Sequence, residues 1–143
     1  MSRLSLLVVA LGLTVPSAAL AQSPVSDTTA TLPTVAERVQ QAFAAGDADG
    51  LLSPAADRVE INLFGTRTFY SRDQAFYVLR AFFEEHGPRR FEVQDTVQTG
   101  GAYFVTGTYW HVRDDRPLRV FVRLSASEAQ WRLQEVRVGT ERR

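Results

Sequence analysis

The chain has 143 residues, with 16 basic and 16 acidic side chains, a length that allows one domain and little more. Every basic residue counted there is arginine and the formal net charge is zero, which argues against nucleic-acid binding driven by phosphate neutralisation. Cysteine is absent, so a disulfide framework is excluded, no lipoprotein anchor is expected, and His86 and His111 alone make a poor zinc set.

The first 21 residues, Met1 to Ala21, carry one basic residue, Arg3, then the apolar run Leu4 to Val15, then Pro16 to Ala21 ending in Ala19-Leu20-Ala21. That is the pattern of a secretory signal peptide, and the run is too short for a comfortable transmembrane span. Cleavage would remove Arg3 and leave 15 basic against 16 acidic residues, a net charge of −1. The expected product is exported, periplasmic or secreted, without a membrane anchor. Gln22 to Pro33 is a polar Ser/Thr/Pro stretch without periodicity, read as a flexible leader. The folded domain is expected over Thr34–Arg143.

Thr34 with Glu37 three residues on is a capping box, and Val35, Val39, Ala42 and Phe43 form the stripe of a first helix ending at Gly46. Asp47, Asp49 and Gly50 superficially resemble the opening of a calcium loop, but the later oxygen ligands and the terminal glutamate are missing. A helix stop followed by a cap is the expectation, with a short helical turn through Leu51 and Leu52 before Pro54.

The period then falls to two. Arg58 to Phe64 alternates with Val59, Ile61 and Leu63 on one face, Gly65 and Thr66 turn the chain, and Arg67 to Tyr70 is a short strand. Ser71 with Gln74 opens a second capped helix running to His86, where Gly87 and Pro88 stop it. Ala75, Phe76, Leu79, Phe82 and Phe83 are its apolar stripe. Strands follow over Phe91–Thr99 and Ala102–Arg113, joined at Gly100-Gly101. Leu118–Leu124 comes next, and after a polar turn over Ser125–Gln130, Trp131–Val138. The apolar phase slips between Leu133 and Val136, which predicts a bulge. Helices come first and a strand meander last, so the class is α+β, with helices on one face of a curved, mainly antiparallel sheet.

Several stretches carry a family resemblance: Phe43-x-x-Gly46-Asp47-x-x-x-Leu51, Val59-x-Ile61, Tyr70-Ser71-x-x-Gln74-Ala75 before Leu79-x-x-Phe82-Phe83, Tyr103-x-x-x-Gly107 and Trp131-x-Leu133. On these the chain from about Val35 to Val138 resembles the nuclear-transport-factor-2-like superfamily, the cystatin-like α+β roll shared with SnoaL-like cyclases and ketosteroid isomerases. The signal peptide, Arg119-Val120-Phe121 and the Phe64-Gly65 to Tyr70-Ser71 connection are similar, within it, to a family of short exported bacterial proteins of unknown function. The resemblance implies a cone with a cavity between the long helix and the concave side of the sheet. Phe76, Leu79, Phe83, Tyr103 and Tyr109 are the expected ligand-binding residues there. The Asp–His pair of scytalone-dehydratase-like members and the Tyr–Asp arrangement of ketosteroid isomerases have no match, so no catalytic residue is carried over, and no cofactor or metal is implied.

Asp95 falls in phase with Phe91, Val93 and Val97, which aims its carboxylate at the apolar side, where it would act as a general base. A local bulge or the sheet edge would instead leave it in water. Tyr103, Tyr109 and His111 share the parity of Val105 and would contribute hydroxyl and imidazole groups, or serve as satisfied core residues. His86 suits the C-terminus of its helix. Among Arg113, Arg116, Arg119, Arg123, Arg132 and Arg137, the set Arg119, Phe121 and Arg123 forms a basic, partly aromatic outer face. It is a candidate surface for an anionic ligand or for a homodimer interface.

The leading expectation is a noncatalytic exported domain that binds a small apolar or amphipathic molecule, or a protein partner. The alternative is a small cofactor-free isomerase, dehydratase or hydrolase using Asp95 with Tyr103, Tyr109 or His111. A dimerisation or accessory module with a sealed core is the third reading.

Overall fold

Two capping boxes begin the longer helices. In the computed structural model, which describes residues 34–141, α1 is Val35–Ala45 and α3 is Arg72–Glu85, with the five-residue α2, Ala48–Leu52, between them. Thr34 accepts from the Glu37 N–H at 3.2 Å while the Glu37 carboxylate accepts from the Thr34 N–H at 2.6 Å. Ser71 and Gln74 make the same reciprocal pair at 3.3 and 3.1 Å. Each box satisfies donors that a helix start leaves without partners. Gly46 ends α1 in the left-handed region at φ 65°, where a Cβ is costly. The Asp47 carboxylate then accepts from the Gly50 N–H at 2.9 Å as the N-cap of α2. The expected signal peptide and leader lie outside the described residues.

Six strands follow the order β2-β1-β6-β5-β4-β3: β1 Ala55–Leu63, β2 Thr66–Ser71, β3 Pro88–Thr99, β4 Ala102–His111, β5 Leu118–Ser127 and β6 Gln130–Thr140. The last four form the expected meander, and β1 pairs with β6 in parallel. The sheet is therefore mainly antiparallel, curved and open. Several strands run beyond their sequence-based limits because backbone pairing continues through polar residues. Ser127 pairs with Gln130, so the expected six-residue polar turn shrinks to Glu128 and Ala129, both at positive φ.

Both long helices lie on one face of the sheet. Val39, Ala42 and Phe43 of α1 and Leu79, Phe82 and Phe83 of α3 join Val59, Ile61, Phe91, Val105, Tyr109, Val122 and Val136 in one buried cluster. Gly107 makes room for a core ring. A Cβ there would sit 2.5 Å from Cζ of Phe91 and 2.7 Å from the Glu92 carbonyl oxygen, so only glycine lets the Phe91 ring cross the neighbouring strand. The bulge expected in β6 is present: Arg123 faces Glu135 and Leu124 faces Leu133, leaving Gln134 extra.

Candidate functional site

Aromatic rings fill the centre of the roll. Phe43 is fully buried and stacks on Phe91 at 4.9 Å between ring centroids, with Phe83 edge-on at 5.7 Å and Tyr109 at 6.1 Å. Leu79, Phe83 and Tyr109, three of the five expected ligand-binding residues, are thus buried in the packed core. The other two stand apart at its margins. Phe76 is half-buried against Tyr77 near α2, and Tyr103 is half-buried against Trp131 at 5.5 Å. Trp110 takes no part in filling the roll, since it alternates with Tyr109 to the other face and lies under the Arg90 guanidinium at 3.9 Å.

The proposed acid/base set is not assembled. In β3, Val93 faces Gly107 but Asp95 faces Thr106, so Gln94 is the extra residue of a bulge. That extra residue reverses the parity of everything after it. Asp95 is exposed on the convex face, its carboxylate accepting from the Thr96 N–H at 2.9 Å. Val97 is turned outward with it, 46 % exposed. Tyr109 and His111 are buried on the opposite face, so Asp95 cannot exchange a proton with either.

Tyr109 is a satisfied core tyrosine. Its hydroxyl donates to the His86 carbonyl, and burial pushes its pKa well above the ordinary value. The His86 and His111 rings meet edge to face at 5.1 Å, and Nδ1 of each is buried without a partner among the described residues. Burial lowers the His86 pKa; Glu85 and the Phe82 backbone oppose that shift, and His111 and Arg113 reinforce it. His86 stacks on Phe82 at 5.0 Å and meets Phe64 at 5.3 Å. Its imidazole is therefore part of the aromatic packing at the end of α3, and a role confined to the helix terminus is too narrow.

The open space lies elsewhere. A cleft of about 470 Å³ separates α1 and α2 from the ends of β5 and β6. Val39, Leu51, Pro54, Leu124, Trp131 and Leu133 supply its apolar wall, and Arg38 and Gln41 stand among its polar residues. Arg38 is exposed and has no ion-pair partner among the described residues. Sequence reasoning placed Val39, Leu51 and Leu133 in helix and strand stripes but did not bring them together. The available signal was Trp131-x-Leu133 in β6, whose alternation puts an amphipathic ring beside a core leucine.

On the convex face the expected alternation of β5 holds, with Arg119, Phe121 and Arg123 opposite the buried Val120, Val122 and Leu124. Two carboxylates are buried beneath that surface, Glu60 at 4 % exposure and Glu135 at 6 %, facing each other across the parallel β1–β6 pair. Arg67 grips Glu60 through both oxygens at 2.6 and 3.0 Å, and Glu135 accepts from Arg137 at 2.6 Å and from Arg123 at 3.4 Å. Such charge-assisted pairing offsets the desolvation of carboxylates on a sheet surface.

A helix-covered, strongly curved open sheet of this topology defines a nuclear-transport-factor-2-like fold, and solved structures agree. A nuclear-transport-factor-2-like protein of unknown function from Silicibacter pomeroyi matches with a TM-score of 0.53 at 13 % identity, over 73 % of this chain and 88 % of that one. More particularly, the chain belongs to the DUF4783 family, a domain of unknown function whose pattern matches residues 36–139. A DUF4783 protein from Bacteroides uniformis superposes with a TM-score of 0.70 at 21 % identity, over 76 % of this chain and 99 % of that one. One from Bacteroides ovatus gives 0.69 at 22 %, over 74 % and 94 %. No curated protein matches the sequence.

Proposed function

We propose that the domain is a noncatalytic binding module that takes a small amphipathic molecule in the cleft between α1–α2 and the ends of β5 and β6. The observation that carries this reading is the division of space: aromatic rings pack the centre of the roll, while an apolar cleft with a cation at its polar side stays open beside it. Its volume, about 470 Å³, falls in the range of roughly 300–1,000 Å³ usual for small-molecule sites. Leu51, Leu124, Leu133 and Trp131 would cover the apolar part of the ligand, and Arg38 would hold an anionic head group by a charge-assisted hydrogen bond. Separation of Asp95 from Tyr109 and His111 supports binding over acid/base catalysis.

Trp110 and Trp131 are the two tryptophans, so a Trp110→Phe protein reports on the cleft through Trp131 alone. Titration with decanoate should shift its fluorescence saturably. Arg38→Gln should weaken decanoate about tenfold, the value of one charge-assisted contact of roughly 1.5 kcal/mol, and leave decanol unaffected. Ala45→Phe, at an exposed position lining the cleft, should block both. No saturable response to either probe would refute the reading.

A further inference from the structure

A second concavity lies on the other side of the sheet, and nothing in the cleft reading accounts for it. It is a groove of about 620 Å³ where β1, β5 and β6 end beside the β1–β2 turn. Arg119 and Arg137 both line it, with Phe64, Phe121, Asn62 and Thr106, and no acidic residue is among its lining side chains. We infer that this groove binds a small planar carboxylate whose aromatic body rests on Phe121 while Arg119 and Arg137 hold the charge.

The register brings the two cations together. Arg119 faces Gly139 and Phe121 faces Arg137 on adjacent antiparallel strands, so the arginines are diagonal neighbours on one face. Such diagonal pairs lie roughly 7–8 Å apart at the backbone, within reach of long side chains. Gly139 keeps the floor between them clear, since a Cβ added there meets nothing within 4 Å.

Each arginine is oriented differently. Arg137 donates to the buried Glu135 at 2.6 Å and its guanidinium lies 5.1 Å from the Phe121 ring centroid. Glu135 is shared with Arg123, so one carboxylate stands against two guanidinium groups and leaves an excess positive charge. Arg119 is held only at 3.4 Å, by Glu141, whose side chain is 69 % exposed. An incoming carboxylate can displace so loose a partner at little cost, because exposed ion pairs contribute little. Arginine's planar fork matches a carboxylate in two parallel hydrogen bonds.

Phe64 closes one end of the groove through its turn. Its N–H donates to the Val138 carbonyl at 2.8 Å, which pins the β1–β2 turn to β6, while its ring leans on His86 at 5.3 Å and Phe82 at 6.4 Å. Phe121 is therefore the ring that meets the ligand.

The test is a titration of 15N-labelled protein, expressed from the full-length sequence, with benzoate, acetate and inorganic phosphate in parallel. Benzoate is expected to give saturable shifts confined to Arg119, Arg137, Gly139 and the Phe64 turn. Acetate, which lacks the ring, should bind at least tenfold more weakly, and phosphate should bind no better than acetate. Arg119→Gln should weaken benzoate at least tenfold, whereas Arg80→Gln, the same charge change on the exposed face of α3, should leave it unchanged. Gly139→Phe should abolish binding by filling the floor with both arginines intact. Phe121→Leu should weaken it by removing the ring while keeping apolar bulk on the exposed face, so that loss of fold does not confound the result. The inference is overturned by absent or unlocalised shifts, by equal losses in Arg80→Gln and Arg119→Gln, by phosphate outcompeting benzoate, or by a dimer in sedimentation that buries this face. Because the readout is on the convex face, its failure leaves the Trp131 titration unaffected, and the converse holds too.

Discussion

The two faces of the sheet solve opposite problems with the same alternation of residues. On the concave face Phe43, Phe82, Phe83, Phe91 and Tyr109 pack ring against ring, with apolar burial as the main stabilising term. On the convex face Glu60 and Glu135 are just as buried, yet they are held by Arg67, Arg123 and Arg137. Burial alone therefore does not tell core from surface in this protein. The chemistry of the neighbours does: the concave side excludes water, whereas the arginines on the convex side keep their outer edges wet and able to meet an anion.

The same truncation on each face should separate the two most strongly. Phe43→Ala should cost about 3–5 kcal/mol, the usual range for removing a fully buried ring. Phe121→Ala, which loses a half-buried ring and its contact with Arg137, should cost about 1 kcal/mol. Chemical denaturation of the two variants checks this, and comparable losses would show that the convex face is as structural as the core.

Acid should weaken the concave side at the His86–His111 contact. Burial holds the folded-state pKa of His86 below its ordinary 6.5, so the unfolded chain takes up a proton first as pH falls. The stability associated with neutral His86 is thus fully present above about pH 6.5 and lost as pH drops through that value toward the folded-state pKa. The groups around it set the size of the effect: His111 and Arg113 oppose protonation, Glu85 favours it, and the Tyr109 hydroxyl is occupied by the His86 carbonyl. The melting temperature of the native protein should fall more between pH 7.5 and 5 than that of His86→Gln. Parallel curves would contradict it.

The smallest effect is expected at Asp95→Asn. An exposed carboxylate bonded to the next backbone N–H should change stability by no more than about 0.5 kcal/mol. It should also leave decanoate and benzoate binding intact, and a loss of either would return Asp95 to a functional role.

Local features are written in neighbouring residues. Thr34–Glu37 and Ser71–Gln74 mark helix starts because a cap needs only residues three apart. The β6 bulge was legible because Val136 breaks the phase set by Leu133. By contrast, the β3 bulge could be expected as an alternative but not located: Phe91, Val93 and Val97 are apolar at even spacing on both sides of Gln94, so the written pattern hides a reversal that pairing with β4 reveals. That reversal moved Asp95 from the core to water. Long-range assembly sets the parallel β1–β6 pairing, the burial of Glu60 and Glu135 at facing positions, and the meeting of α1 with Trp131 at the cleft. It also decided whether the roll would be hollow. Periodicity places Phe82, Phe83 and Tyr109 on inward faces, but volume is a property of facing surfaces, and Phe43 from α1 and Phe91, admitted by Gly107, close the centre.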